Sequence, residues 1–139
     1  NVTEHFTVEE FACHDQTPYP SEWIADRLTP LCVALEEIRA AVGGRRVHIL
    51  SGYRTPAHNE ALRDSDGSGT GVAKNSQHIQ GRAADIVVEG MDPRAVHAVA
   101  LQLATEGRIT IGGLGKYRGW THVDVRPREA GKRLAQWVG

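Results

Sequence analysis

The chain has 139 residues, 40% of them hydrophobic, and a formal net charge of -1. This size and composition predict one soluble globular domain, residues 1–139, with a single core. No apolar stretch is long enough to span a bilayer, and the interspersed charges create no broad basic field for nucleic acid. We therefore expect no transmembrane segment, no nucleic-acid partner and a monomer.

Localisation stays open at this level. The first residues lack the charged and apolar regions of a signal peptide, so we expect that any export signal was removed or never existed. Two cysteines, Cys13 and Cys32, are too few for a disulfide scaffold. In an exported protein they could form one bridge between the N-terminal segment and the first long helix, and two buried free thiols are the alternative.

Helix start signals occur at five places along the chain. They are a capping box at Thr7 to Glu10, Ser21, Thr29-Pro30, Thr55-Pro56 and Asp92-Pro93. The third signal begins the first long predicted helix, in which apolar residues recur at helical spacing up to Gly43-Gly44. The stripe of this helix is typical of a core-facing surface.

Short runs of branched residues predict strands at 47–50, 83–88 and 120–125, and a further strand at Ile109 and Ile111. The stretch Gly112-Gly113-Leu114-Gly115 predicts a turn, and the polar stretch 64–75 predicts a surface loop. The predicted fold class is α+β, with helices on one side of a small, mostly antiparallel sheet and a metal site in a cleft beside it.

The stretch 75–85, Asn-Ser-Gln-His-Ile-Gln-Gly-Arg-Ala-Ala-Asp, contains an imidazole at His78 and a carboxylate at Asp85. Alternation in the last predicted strand places His122 and Asp124 on one polar face, with Trp120 and Arg126. His78, Asp85 and His122 together suit one zinc ion with a fourth position open for water, as in catalytic sites. With seven histidines in the chain, spacing alone leaves this as a hypothesis.

Three ordered blocks carry a resemblance to a known family. They are Ser-Gly-Tyr-Arg-Thr-Pro at 51–56, Ser-Gln-His-Ile-Gln-Gly-Arg-Ala-Ala-Asp at 76–85, and the stretch 113–126 with its Thr-His-Val-Asp-Val. The chain resembles the M15 zinc peptidases, which include D-alanyl-D-alanine carboxypeptidases. The subgroup with the His-Val-Asp ending also includes murein endopeptidases.

The resemblance implies roles for individual residues. His78, Asp85 and His122 match the ligands of one Zn²⁺, and Arg54 matches an arginine that contacts substrate and stabilises the oxyanion. A guanidinium suits that role because it offers paired donors and stays charged. The alternative for Arg54 is a surface arginine in a salt bridge. Four further residues are candidates for lining the substrate cleft: Tyr53, Ser76, Gln80 and Trp120. Capping of the loop is the alternative for Ser76, and packing for Tyr53 and Gln80.

The general base is not identified by the pattern. Relatives outside this subgroup carry an acid or a histidine where this chain has Gly119 and Trp120. Asp124, on the same strand face as His122, is the nearest ionisable substitute. It could act as the base or orient a ligand histidine by accepting its free N–H, and both roles stay open. The remaining histidines are expected at the surface or as satisfied core residues: His5, His14, His48, His58 and His97.

The resemblance implies a zinc peptidase that cuts amide bonds at D-amino acids in peptidoglycan stem peptides or crosslinks, as a carboxypeptidase or an endopeptidase. It also implies a secreted or cell-envelope protein, with a phage-borne origin as the alternative. Two other functions stay open. One is a zinc-containing cell-wall binding module that does not catalyse hydrolysis, and the other is a structural component of a phage or secretion apparatus.

Overall fold

The computed structural model describes residues 1–66, 76–128 and 132–139, and for 64–66 the backbone only. The three α-helices in this part of the chain are α1 (Thr29–Ala41), α2 (Pro56–Asp66) and α3 (Pro93–Thr105). The strands are β1 (Val47–Ser51), β2 (Ala83–Val88), β3 (Gly113–Lys116), β4 (Thr121–Asp124) and β5 (Ala135–Val138).

The five strands form one sheet in the order β1-β2-β4-β3-β5. All neighbouring pairs are antiparallel except β3 and β5, which run parallel. This confirms the predicted α+β class with a mostly antiparallel sheet. Across the sheet, Asp85 of β2 pairs with His122 of β4, and His122 pairs with Gly115 of β3.

One face of the sheet packs against α3, which also contacts α1. The buried residues Ala84, Ile86 and Val123 point into this core because they alternate with the polar residues of the same strands. The side chain of Asp92 accepts a hydrogen bond from the Arg94 amide at 2.8 Å and caps α3, as the sequence predicts. The sheet therefore has an apolar face under the helices and an opposite face for the polar residues.

The N-terminal part consists of short turns that lead into α1. The Glu10 carboxylate accepts a hydrogen bond from the Thr7 amide at 2.8 Å, at the start of a single 3₁₀ turn, Val8–Phe11. A second 3₁₀ turn, Ser21–Trp23, continues through a π turn into α1. Cys13 and Cys32 are both buried free thiols, as in the second of the two predicted alternatives.

One turn prediction and one strand prediction near the C-terminal end of the chain are wrong. Residues 113–115 form β3 and not a turn, whereas Ile109 and Ile111 are buried in the core outside any strand. Glycine is required in β3 because a Cβ at Gly113 would collide with the Asp124 carboxylate, and one at Gly115 would lie 2.6 Å from the Trp137 indole nitrogen. The glycines thus make room for side chains of neighbouring strands.

The predicted surface loop at 64–75 begins too early, because α2 continues to Asp66. The rest of that prediction, residues 67–75, lies outside the described residues. Strand β5 was not predicted. Among the helices of the described ranges, none combines the length and the apolar character that a membrane crossing demands.

We expect Gly113→Ala to lower the free energy of unfolding by about 1–3 kcal/mol, because the added methyl must displace a buried carboxylate. Gly119→Ala is the matched control, since a Cβ there meets nothing within 4 Å. Its effect should stay within about 0.5 kcal/mol. Urea denaturation of both variants measures the difference, and equal stability of the two would contradict the steric role of Gly113.

Candidate metal centre

The three residues predicted as metal ligands come together on the face of the sheet opposite α3. Asp85 and His122 are opposite each other on β2 and β4, and His78 lies in the turn before β2. His78 Nε2 and His122 Nδ1 each lie 3.2 Å from Asp85 Oδ1. Ligands bound tetrahedrally to zinc at about 2.0–2.1 Å lie about 3.3 Å apart, so this spacing fits one such ion.

Hydrogen bonds on the outer side of each ring fix which nitrogen faces Asp85. His78 Nδ1 donates to the Gly52 carbonyl at 2.7 Å, and His122 Nε2 donates to Asp124 Oδ2 at 2.7 Å. In the neutral rings, His78 Nε2 and His122 Nδ1 therefore present lone pairs to the Asp85 carboxylate. Three converging lone-pair atoms repel one another unless a cation lies between them, so the donor set fits a metal ion.

The environment of the three groups controls their charge. Burial lowers the pKa of His78 and so favours the neutral ring that a metal requires. Burial also opposes charging of His122, but hydrogen bonds to Asp124 and Asp85 outweigh it and raise the pKa of His122. For Asp85, burial raises the pKa, but interactions with His78 and His122 in their protonated forms outweigh it and hold the pKa below its usual range. Asp85 is therefore an anion at neutral pH.

Asp124 is completely buried, and the hydrogen bonds described for its carboxylate all come from His122 or Arg126. Oδ2 accepts from His122 Nε2 and from Arg126 Nη2, both at 2.7 Å. Oδ1 accepts from Nε and from the backbone amide of Arg126, at 2.9 and 3.0 Å. Burial raises the pKa of Asp124, but the hydrogen bonds from His122 and Arg126 outweigh it and hold the pKa well below its usual range. The carboxylate thus lies across the ring from the nitrogen that faces the metal position.

Arg54 is buried beside the ligands and is not a surface salt bridge. Its Nη2 lies 3.3 Å from Asp85 Oδ2, its Nη1 donates to Asn59 at 3.3 Å, and its Nε donates to Ser51 at 3.1 Å. Burial lowers its pKa, partly offset by the negative charge of Asp85. Three polar contacts hold the guanidinium in one orientation next to the candidate metal position.

The other predicted cleft residues make mostly structural contacts. Ser76 Oγ accepts from the His78 amide at 3.1 Å and so caps the loop before the ligand. The Tyr53 ring packs edge-on against Tyr19 and Trp23, and the Gln80 side chain is exposed. These contacts correspond to loop capping for Ser76 and packing for Tyr53, whereas the exposed Gln80 is not a packing residue. Substrate contact by the three residues stays a prediction.

An aromatic group lies beside His122. The Trp137 ring is 4.9 Å from the His122 ring, between centroids, and its Nε1 donates to the Tyr117 hydroxyl at 2.8 Å. Tyr117 stacks on Trp120 with centroids 4.7 Å apart. Trp120, a predicted cleft residue, is therefore linked to the ligand through Tyr117 and Trp137.

Sequence reasoning assigned no role to Arg126, Asn59 or Trp137. Arg126 had a signal, since strand alternation places it on the polar face with Asp124. No local pattern distinguishes Asn59, which is completely buried on α2, or Trp137, whose place depends on the pairing of β5 with β3.

Comparison with known proteins agrees with this geometry. The chain is 32% identical over 96 residues to proteins named peptidoglycan L,D-endopeptidase MepK from Escherichia coli K12, Escherichia coli O157:H7 and Shigella flexneri. The match covers 67% of this chain and 48% of each relative, so the chain spans about half the length of those proteins. The model of the family described as peptidase M15 matches residues 4–124. The chain, with its candidate His-Asp-His metal site, therefore belongs to the peptidase M15 family.

Proposed function

We propose that this chain is a zinc-dependent peptidase domain that hydrolyses amide bonds at D-amino acids in peptidoglycan peptides. The observation that carries the proposal is the convergence of His78, Asp85 and His122, with both rings held in the tautomer that a metal needs. The L,D-endopeptidases among the relatives support peptide crosslinks as the substrate. Action as a monomer in the cell envelope is part of the same proposal.

Bound zinc supplies a Lewis acid for the scissile carbonyl and a water nucleophile at neutral pH. Arg54 donates to the oxygen on which negative charge develops, because its guanidinium is already oriented beside the ligands. Trp137 and Tyr117 form an apolar wall next to His122, which restricts access of bulk water to the reacting groups.

We assign Asp124 the role of orienting His122. A general base must come within hydrogen-bond reach of the water that it deprotonates. Asp124 is completely buried, already accepts four hydrogen bonds and contacts the ring nitrogen that points away from the metal position. A carboxylate in that place fixes the tautomer of a ligand histidine and raises its basicity.

A second candidate function is a zinc-containing module that binds peptidoglycan without cutting it. The observation in its favour is that both buried carboxylates in the described part of the site are engaged: Asp85 with the ligand histidines and Arg54, and Asp124 with His122 and Arg126. The two functions share the metal site but differ in whether peptides are released.

Metal removal tests the main proposal. We expect a chelator to abolish cleavage of purified crosslinked muropeptides and one equivalent of Zn²⁺ to restore it. The reason is that His78, Asp85 and His122 only donate electron pairs, so the Lewis acid of the proposed reaction is the metal itself. Mass analysis of the products identifies the bond that is cut. Full cleavage by metal-depleted protein would contradict zinc catalysis, and retention of muropeptides without any product would favour the binding module.

Replacement of Arg54 tests the oxyanion role. We expect Arg54→Lys to lower kcat roughly 10²–10³-fold, since a single ammonium cannot reproduce the three oriented contacts. Zinc content should stay at the wild-type level because all three ligands remain. Arg94→Lys, at a largely exposed arginine, is the matched control and should leave kcat unchanged. Wild-type kcat in Arg54→Lys would exclude the proposed role.

Replacement of Asp124 separates its two possible roles. We expect Asp124→Ala to weaken zinc binding roughly 10–100-fold, and saturating zinc to recover part of the activity, because the variant loses the group that orients His122. Isothermal titration and the pH profile of kcat at saturating zinc measure this. Asp26→Asn, at an exposed carboxylate, is the control. A general base would instead give normal zinc affinity and a rate that zinc does not restore.

A further inference from the structure

A second cluster of metal-binding side chains lies where the N-terminal segment meets the start of α2. The sulfur of Cys13, a carboxylate oxygen of Asp15 and a ring nitrogen of His58 lie within 4.8 Å of one another. None of these residues belongs to the His78, Asp85 and His122 group. Sequence reasoning had expected His58 to be an ordinary surface or core histidine.

The backbone brings Cys13 and Asp15 to the same side of a tight turn. The Cys13 amide donates to the Thr17 carbonyl at 2.9 Å, and the Gln16 amide donates to the Cys13 carbonyl at 3.1 Å. Gln16 adopts a positive φ of 77°, which few residues other than glycine adopt. This turn folds the chain back on itself, so that Cys13 and Asp15, only two residues apart, both lie close to His58.

Asp15 also connects this turn to the beginning of α2. Its Oδ2 accepts from the Thr55 hydroxyl at 2.8 Å, and its Oδ1 accepts from the Thr17 amide at 3.0 Å. The Thr55 hydroxyl accepts from the His58 amide at 3.1 Å, which places the imidazole on the first turn of α2. Asp15 and Thr55 therefore connect the turn that carries Cys13 to the helix that carries His58.

The three donors have the chemistry of a transition-metal site. Thiolate, imidazole and carboxylate together select zinc-class ions over Mg²⁺ and Ca²⁺, which prefer oxygen ligands. Cys13 is buried, His58 is half-buried and Asp15 is exposed, so the cluster has a protected side and a side open to solvent. Binding would form a metal–sulfur bond and release the Cys13 thiol proton to solvent, without any change of oxidation state.

We propose that Cys13, Asp15 and His58 hold a second zinc-class ion that fixes the N-terminal segment to α2. Gly52 and Arg54 lie in the short connection between β1 and α2. On one side of the cluster, the Phe11 carbonyl accepts a hydrogen bond from the Tyr53 amide of this connection at 2.9 Å. On the other side, His58 lies on α2, directly after the connection. The ion thus reinforces the part of the chain that orients His78 and supplies the candidate oxyanion donor, while taking no part in the reaction.

Cobalt titration of the full chain tests this site directly, because a thiolate bound to Co²⁺ gives a near-ultraviolet charge-transfer band. The ligands of the first site include no sulfur and cannot produce that band. We expect wild type to bind two equivalents of Co²⁺ with the band present. His78→Ala should lose one equivalent and keep the band, so the second site is measured independently of zinc catalysis.

Two variants remove the second site. Cys13→Ser and His58→Ala should each bind one equivalent of Co²⁺, and Cys13→Ser should lose the band completely. His58→Ala replaces a half-buried residue, so it stays informative if replacement of the buried Cys13 prevents folding. Cys32→Ala, at the other buried thiol, is the matched control and should keep both equivalents and the band.

Thermal melting supplies an independent readout in the His78→Ala background. Zn²⁺ should raise the Tm of this variant, because an ion that binds only the folded state stabilises it. The increase should disappear in the double variant with Cys13→Ser. One equivalent of Co²⁺ without a thiolate band in wild type, or identical titrations of wild type and His58→Ala, would overturn the proposal.

Discussion

The candidate metal site depends on the register between β2 and β4, which places Asp85 directly opposite His122. A slip of one residue would turn every side chain of a strand to the other face. It would move the Asp85 carboxylate into the core under α3 and bring Ala84 and Ile86 out of it. Because burial of an unpaired charge is very costly, the apolar residues of β2 also specify the position of the ligand.

The polar face of the sheet can be buried because its charged groups have oriented partners. Asp85 is paired with Arg54, and Asp124 with Arg126, so the four side chains balance in charge. The glycines of β3 complete this arrangement: Gly113 leaves space for the Asp124 carboxylate, and Gly115 leaves space for Trp137 beside His122. The packing of β3 and the charged groups of β4 thus depend on each other, and a change in either strand disturbs the other.

Local signals in the sequence were sufficient for the helices and central strands, whereas long-range packing decided the rest. Asp92-Pro93 marks the start of α3 because capping involves adjacent residues. Glycine at 113 and 115 suggests a turn, and only the side chains of Asp124 and Trp137, distant in sequence, explain why it occurs in a strand. The residue types at 78, 85 and 122 suggest a set of zinc ligands. The tautomer of His78, however, depends on the Gly52 carbonyl, and that of His122 depends on Asp124, which strand alternation places only on the same face.

The two candidate histidine ligands face the metal position with different nitrogens, and their outer partners explain why. The Gly52 carbonyl holds Nδ1 of His78, which leaves Nε2 for the metal, whereas Asp124 holds Nε2 of His122, which leaves Nδ1. A strand residue two positions after a ligand lies on the same face and close to the far side of the ring. In this arrangement the residue that follows a ligand histidine by two reaches the outer nitrogen and not the metal, so its natural task is to orient the ring. In the proposed peptidase, proton transfer would therefore come from a group on the open side of the site, near Arg54 and Trp137.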